Sequence, residues 1–263
     1  PAVFRLKDHI ARFFRSAKTF GYRELPYSEE TIIEASLELI RKNDFDECYI
    51  RPLIYIKGGG WNLVVDGVEI QMGIALWKWG NYLGEDALKQ GIRANVASYG
   101  RLHPNINMTK AKVAGNYVNS VLGKTESLRA GFDEAIMLTQ QGDVSEGSGE
   151  NLFLINDGDI FTPPVSHNNL TGITRDSVTK IATENLGYKV VERQIRRSEL
   201  YFANEVFLTG TAAHIQAVGE LDNRTIGSGV EGPITKEIKE IYLDAIRGNN
   251  PQYRKWCEAV EIP

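Results

Sequence analysis

Three side chains with the means to do chemistry fall in one stretch, residues 110–153: the amine of Lys112, the phenol of Tyr117 and the carboxylate of Glu146. The first two sit in Lys112-Val113-Ala114-Gly115-Asn116-Tyr117, the third in Ser145-Glu146-Gly147-Ser148-Gly149-Glu150-Asn151-Leu152-Phe153. A lysine amine condenses with an aldehyde, a phenol hydrogen-bonds a ring oxygen, and a carboxylate holds a protonated pyridine nitrogen. Those are the demands of pyridoxal phosphate (PLP). None of the three residue types is distinctive alone; the combination is.

Each has a rival. Lys110 lies two residues before Lys112, but the small residues after Lys112 allow close backbone approach there. An amine that attacks an aldehyde must lose its proton easily, which burial favours, so Lys112 is expected to be desolvated. Tyr117 shares a pocket with it only if Lys112 precedes the helix or the first turn is irregular; otherwise Tyr117 is a core aromatic. Glu146 competes with Glu150, and either could instead stabilise a glycine-rich turn.

A phosphate needs donors. Leu170-Thr171-Gly172-Ile173-Thr174-Arg175-Asp176 leads into a helix, whose first backbone N–H groups lack internal partners and attract anions. Gly172 would admit a phosphate there, although an ordinary helix start carries the same signals. Thr209-Gly210-Thr211-Ala212-Ala213 offers further N–H groups and the Thr211 hydroxyl, and Arg5 a permanent charge.

Other signatures fail. Leu152 stands where a dinucleotide fingerprint places its third glycine, and Val118 where Gly123-Lys124-Thr125 would need the first glycine of a phosphate loop. His9, His103, His167 and His214 show no metal-ligand spacing, so no metal is expected. No Gly-x-Ser-x-Gly elbow occurs.

The elements that position these residues can be read from periodicity. Ile10, Phe13, Phe14 and Ala17 mark a helix, and a second runs from the cap Ser28 through Ile32, Ile33, Leu37 and Ile40. Cys48–Ile56 and Val68–Trp77 read as strands, Pro52 placing the first at an edge or bulge. Residues 1–77 form a small α+β domain and 78–89 a linker, with 90–263 the larger domain. In the latter, strands are expected at 92–99, 188–195 and 205–209, and helices at 114–128, 174–186 and 235–246. Hairpins are expected at 135–144 and onward, and at Asn156-Asp157-Gly158.

Composition bounds the rest. The 263 residues carry a net charge of −4, which gives no basic field for nucleic acid. The longest apolar runs are too short to span a bilayer. Two distant cysteines, Cys48 and Cys257, fit a reducing, cytoplasmic setting.

Taken in order, Lys-Val-Ala-Gly-Asn-Tyr, Ser-Glu-Gly-Ser-Gly-Glu-Asn-Leu-Phe, Leu-Thr-Gly-Ile-Thr-Arg-Asp and Gly-Thr-Ala-Ala resemble the successive motifs of class IV (fold-type IV) PLP-dependent aminotransferases. Tyr49-Ile50-Arg51-Pro52-Leu53 narrows the resemblance to the branched-chain amino acid aminotransferases. The similarity runs from about Phe4 to about Lys239 and implies a two-domain α+β fold, with a small domain and a larger mixed, barrel-like β/α domain.

The resemblance also implies roles. Lys112 would bond to PLP and move the substrate proton, Glu146 pair with the ring nitrogen and Tyr117 with the ring hydroxyl oxygen. Arg5, Gly172, the backbone of Ile173 and Thr174, and Thr211 would hold the phosphate, with Leu170 against the ring. Thr211 and Ala212 N–H groups and the Tyr49 hydroxyl would take the substrate carboxylate, and Arg51 the distal carboxylate of glutamate. Trp79 and Tyr82 would wall the apolar pocket. The implied reaction passes the amino group of leucine, isoleucine or valine to 2-oxoglutarate in two ping-pong halves. A homodimer is implied too.

Family members carry several tens of residues before the point matching Pro1, so the small domain is expected to lack its first strands. His214 stands where glutamate is common in the family, a minor departure. On the same scaffold, a D-amino acid aminotransferase or an aminodeoxychorismate lyase is the alternative activity.

Overall fold

The computed structural model describes residues 2–22, 24–43, 45–59, 63–79 and 91–260. The chain divides into two compact units, Pro1–Gly80 with Ala245–Pro263, and Asn81–Asp244.

The first unit opens with strand β1 (Ala2–Phe4) and helix α1 (Leu6–Thr19). The turn between them needs Arg5 in the left-handed region, at φ 52°. Leu6 and Ile10 pack against Ile32 of α2 (Glu29–Arg41) and Met72 of β3 (Glu69–Trp77), the apolar face that the helical spacing requires. Ser28 caps α2 by accepting the Thr31 N–H at 3.2 Å. Strand β2 (Tyr49–Gly58) pairs antiparallel with β3, Tyr49 opposite Trp77 and Arg51 opposite Ala75. Both strands are edges in this two-stranded sheet, which is why Pro52 is tolerated.

The second unit is built on one mixed sheet of nine strands. These are β4 (Ile92–Val96), β5 (Glu134–Leu138), β6 (Val144–Gly147), β7 (Asn151–Asn156), β8 (Asp159–Thr162), β9 (Val190–Glu192), β10 (Glu205–Gly210), β11 (His214–Leu221) and β12 (Arg224–Thr225). Their order is β6-β5-β4-β11-β10-β7-β8-β9, with β12 on β11. Strands β6 and β7 are thus five spacings apart, about 24 Å if the sheet were flat. The link between them, 148–150, spans at most about 14 Å. The sheet must therefore curl, which brings the carboxylate-bearing strand β6 back toward the start of β7.

Helix α3 (Tyr117–Arg129) follows a tight 3-10 turn at Ala114–Asn116, and α4 (Ile173–Lys180) widens into a π-helical turn at Ile181–Asn185. Helix α5 (Arg197–Tyr201) precedes β10, and α6 (Pro233–Ile246) closes the unit. Ile92, Ala94, Ile136, Leu152, Leu154, Val206, Leu208 and Val218 make a continuous buried core. The Asp-Gly turn has both residues left-handed (φ 50° and 83°), joining β7 to β8 with Asn156 opposite Asp159.

The chain then returns to the first unit. Strand β13 (Cys257–Ala259) pairs antiparallel with β1, and the Arg5 N–H donates to the Trp256 carbonyl at 2.6 Å. Residues 245–263 therefore leave the domain expected at 90–263, because the open edge of β1 takes its hydrogen bonds from them. Strands β4 and β9 are shorter than the expected 92–99 and 188–195. Within the expected linker, residues 80–89 lie outside the described residues, and so does Tyr82.

Candidate active site

Lys112 stands before the 3-10 turn and Tyr117 begins α3, so the first turn is irregular and a five-residue separation brings the two side chains together. The Lys112 amine hydrogen-bonds the Tyr117 hydroxyl. Asn116 anchors the turn: its side-chain amide donates to the carbonyls of Met108 at 3.0 Å and Ala111 at 3.1 Å. Both Lys112 and Tyr117 are exposed, so the desolvated amine expected at Lys112 is not found there.

Lys110 is exposed as well, although its amine is partly desolvated. Burial of its amine pulls its pKa below the ordinary lysine range. That amine is nonetheless committed, donating to the carbonyl of Val165, to the Asn169 carbonyl at 2.5 Å and to Asn169 Oδ1 at 3.3 Å. It ties residues 165–169 to the segment that carries Lys112, and does not face the hollow that Lys112 lines.

That hollow, open to solvent, is lined by Lys112, Tyr117, Glu146 and Leu170, together with Arg101, Thr109, Ser148 and Gly149. Glu146 reaches it from β6 and is 4% exposed. Its Oε2 accepts the Leu170 N–H at 3.0 Å and the Asn151 amide at 3.3 Å. Its Oε1 lies 2.7 Å from Arg101 Nε, yet neither atom has an aligned hydrogen-bond partner. Complete burial pushes the Glu146 carboxyl above its ordinary range, with Arg101 the largest influence pulling the other way.

Glu150, the rival carboxylate, does not line the hollow. It turns back under the glycine loop, accepting the Gly149 N–H at 3.0 Å. Burial and the nearby Glu134 push it up to about 8.

Gly172 is the N-cap residue of α4, followed by Ile173 and Thr174 in the first turn. A Cβ on Gly172 would meet Asn151 Oδ1 at 2.0 Å, so the glycine is required by the Asn151 side chain. Thr174 is buried and bonded to Tyr242 of α6. Thr211 and Ala212 sit in the turn between β10 and β11, Gly210 pairing with His214 across it.

The remaining expected residues that the structure describes, Arg5, Tyr49, Arg51 and Trp79, belong to the first unit. There Arg51 lies over the rings of Tyr49, Trp77 and Trp79, at 5.4, 5.1 and 5.8 Å, and the Tyr49 and Trp79 rings are 4.6 Å apart. Trp77 is a member of that cluster which the residue types alone did not single out; it faces Tyr49 across the ladder. Arg5 is paired with Asp8 and lies 5.2 Å from the Trp256 ring centre. A second buried arginine, Arg12, sits seven residues further along α1. Arg101 is the other residue that the motifs left out, since nothing in Gly100-Arg101-Leu102 marks it.

The chain matches the family model for amino-transferase class IV over residues 1–221. It belongs to the class IV aminotransferases. It is 43% identical to a branched-chain-amino-acid aminotransferase of Pseudomonas aeruginosa over 260 residues, 99% of this chain and 84% of the relative. With the Escherichia coli K12 enzyme of that name it shares 41% identity over 261 residues, again 99% and 84%. Among solved structures, the E. coli branched-chain amino acid aminotransferase superposes with a TM-score of 0.95 at 41% identity, covering 99% of this chain and 86% of that one. Another branched-chain amino acid aminotransferase, solved with pyridoxamine 5'-phosphate, gives 0.91 at 46% identity, covering 99% and 85%. That of Thermoproteus uzoniensis, solved with norvaline, gives 0.93 at 41%, again covering 99% and 85%. This class IV aminotransferase thus has the fold-type IV α+β architecture of those neighbours.

Proposed function

We propose that this aminotransferase takes PLP in the Lys112–Glu146 hollow and moves the amino group of L-leucine, L-isoleucine or L-valine to 2-oxoglutarate in two ping-pong halves. The single observation that carries the reading is the shared hollow. It is lined by an amine and phenol in contact and by a buried carboxylate with an oxygen, Oε1, lacking an aligned donor. That donor set fits PLP: Lys112 for the aldehyde, Tyr117 for the ring hydroxyl oxygen and Glu146 for the ring nitrogen.

When bound, PLP supplies an electron-accepting ring that stabilises negative charge at the substrate α-carbon. Lys112 holds the cofactor and then moves the proton at that carbon. Glu146 keeps a proton on the ring nitrogen, and Tyr117 orients the Lys112 amine. The first-turn N–H groups of Ile173 and Thr174 would hold the phosphate with a helix dipole behind them. Gly172, Thr211 and Arg5 complete the phosphate assignment, although Arg5 is already engaged with Asp8 and Trp256. Leu170, whose N–H holds Glu146, packs against the ring.

Tyr49, Arg51, Trp79 and Tyr82, with Thr211 and Ala212, are the substrate-side residues. Arg51 over three aromatic rings suits a pocket that takes an apolar side chain in one half-reaction and a carboxylate in the other. The names of the relatives support branched-chain substrates.

The active form is a homodimer. Supporting this, α3 presents Val118, Val121, Leu122 and Leu128 at 63%, 60%, 43% and 54% exposure, an unusual concentration of apolar residues on one short helix. No described helix is long and apolar enough to cross a membrane. The free cysteines Cys48 and Cys257 support a reducing, cytoplasmic setting. The test is a substrate panel: turnover with L-leucine and 2-oxoglutarate supports the reading, whereas turnover with D-alanine alone contradicts it. Sedimentation of an active monomer contradicts the dimer.

A further inference from the structure

Arg101 holds a place that the three assigned functional groups do not explain. It is 7% exposed, follows β4, and lines the hollow with Glu146. Its backbone is pinned on both sides, the N–H donating to the Leu138 carbonyl at 2.7 Å and the carbonyl accepting the Gln140 amide at 2.5 Å. Its guanidinium is also gripped by α3, Nη1 donating to Ser120 Oγ at 3.1 Å and to Asn119 Oδ1 at 3.4 Å. Its Nε stands 2.7 Å from Glu146 Oε1.

A carboxylate this deeply buried is neutral unless a cation compensates it. The charged groups around Glu146 are few. Arg101 is in contact. Lys110 acts from the segment before Lys112, its amine held by Val165 and Asn169. Lys112 and Tyr117 share the hollow. Glu150 lies beyond the glycine loop. The Leu170 N–H and Asn151 amide hold Oε2 but carry no charge.

We infer that Arg101 is a positioning residue: it keeps Glu146 ionised, so that the shared proton rests on the group facing Glu146. The inference rests on the reading that this group is the ring nitrogen of PLP. A guanidinium is suited to the task because its planar fork is fixed here by α3, while the β5–β6 turn holds its backbone. Without it, burial wins, the carboxyl takes up the proton, and the ring nitrogen loses its anion. The Arg101–Glu146 contact therefore sets where one proton sits, which is a different job from holding the strands together.

The experiment is nitrogen NMR of the holoenzyme loaded with PLP labelled at the ring nitrogen, in wild type, Arg101→Lys and Arg101→Gln. Near neutral pH, wild type and Arg101→Lys should show the protonated-ring resonance and Arg101→Gln the unprotonated one. The leucine half-reaction of Arg101→Gln should be slowed roughly tenfold or more. An Arg101→Gln holoenzyme with the wild-type resonance and pH profile overturns the inference, even if it melts earlier, since a purely structural role would lower only the melting temperature. Should Arg101→Gln fail to fold, carbon NMR of glutamate-labelled wild type decides, with Glu146 identified by its loss in Glu146→Gln. A carboxylate signal that persists into acid pH supports the inference, and titration near neutral pH overturns it. Wild type in which borohydride traps no cofactor on Lys112 removes the functional reading itself, an outcome distinct from a trapped wild type with an unchanged Arg101→Gln.

Discussion

The amine of Lys112 and the hydroxyl of Tyr117 are in contact because a 3-10 turn, Ala114–Asn116, replaces the first turn of the helix between them. In a regular helix, residues five apart point to different faces. The turn is held by Asn116, buried beneath it with its amide on the carbonyls of Met108 and Ala111. Asn116→Ala is expected to cost about 1–3 kcal/mol in stability, because the buried Ala111 carbonyl and the partly buried Met108 carbonyl lose their donor. It should also weaken PLP binding by disordering Lys112. Calorimetry and equilibrium cofactor binding check the two effects separately.

The Lys110 amine is held by the carbonyls of Val165 and Asn169, and the proposal gives the reactive role to Lys112. Lys110→Met should lower the melting temperature, leaving the Val165 and Asn169 carbonyls without their shared donor. Borohydride trapping should still fall on Lys112. Peptide mapping after reduction reads the outcome, and adduct formation that disappears in Lys110→Met would contradict it.

Gly172 is required by its neighbour. Gly172→Ala should destabilise by about 1–3 kcal/mol, since the new methyl would overlap Asn151 Oδ1. Shortening the neighbour in Gly172→Ala/Asn151→Ala should recover part of that loss. A double variant no more stable than the single one would place the clash elsewhere.

Glu150 gives the protein a pH dependence of known sign. Its carboxyl is raised to about 8 in the folded chain from an ordinary 4.5, so the native state binds the extra proton between those values. Its contribution is therefore complete below the ordinary pKa and lost as pH rises through about 8. The loss is at most about 1.4 kcal/mol per pH unit. Glu150→Gln should flatten the fall in melting temperature between mildly acidic and mildly alkaline pH, and an unchanged slope would contradict the assignment.

Local pattern carried much of the architecture. The spacing of Ile10, Phe13, Phe14 and Ala17 and the cap at Ser28 correspond to α1 and α2, and Asp157-Gly158 to the hairpin turn. Strand β11 was not foreseen: its residues 215–219 are buried without interruption, Gln216 and Gly219 included, so the alternation that reveals a half-exposed strand is absent. The pairing of β1 with β13 joins opposite ends of the chain, which periodicity does not encode. At the site, the motifs pointed to Lys112, Tyr117, Glu146 and Leu170 around one hollow, but not to Arg101. An isolated arginine between Gly100 and Leu102 has no signature until folding sets it against Glu146. Likewise, what ties down the Lys110 amine is the pair of carbonyls of Val165 and Asn169, far from it in the chain.

The central claim concerns which atom the cofactor bonds to, and one measurement addresses it. Adding PLP to the purified chain should produce a visible absorbance band, and borohydride should convert it to a stable adduct that maps to Lys112. The band and the adduct should both vanish in Lys112→Ala while the fold persists. An adduct on Lys110, or a band that survives unchanged in Lys112→Ala, would contradict the account.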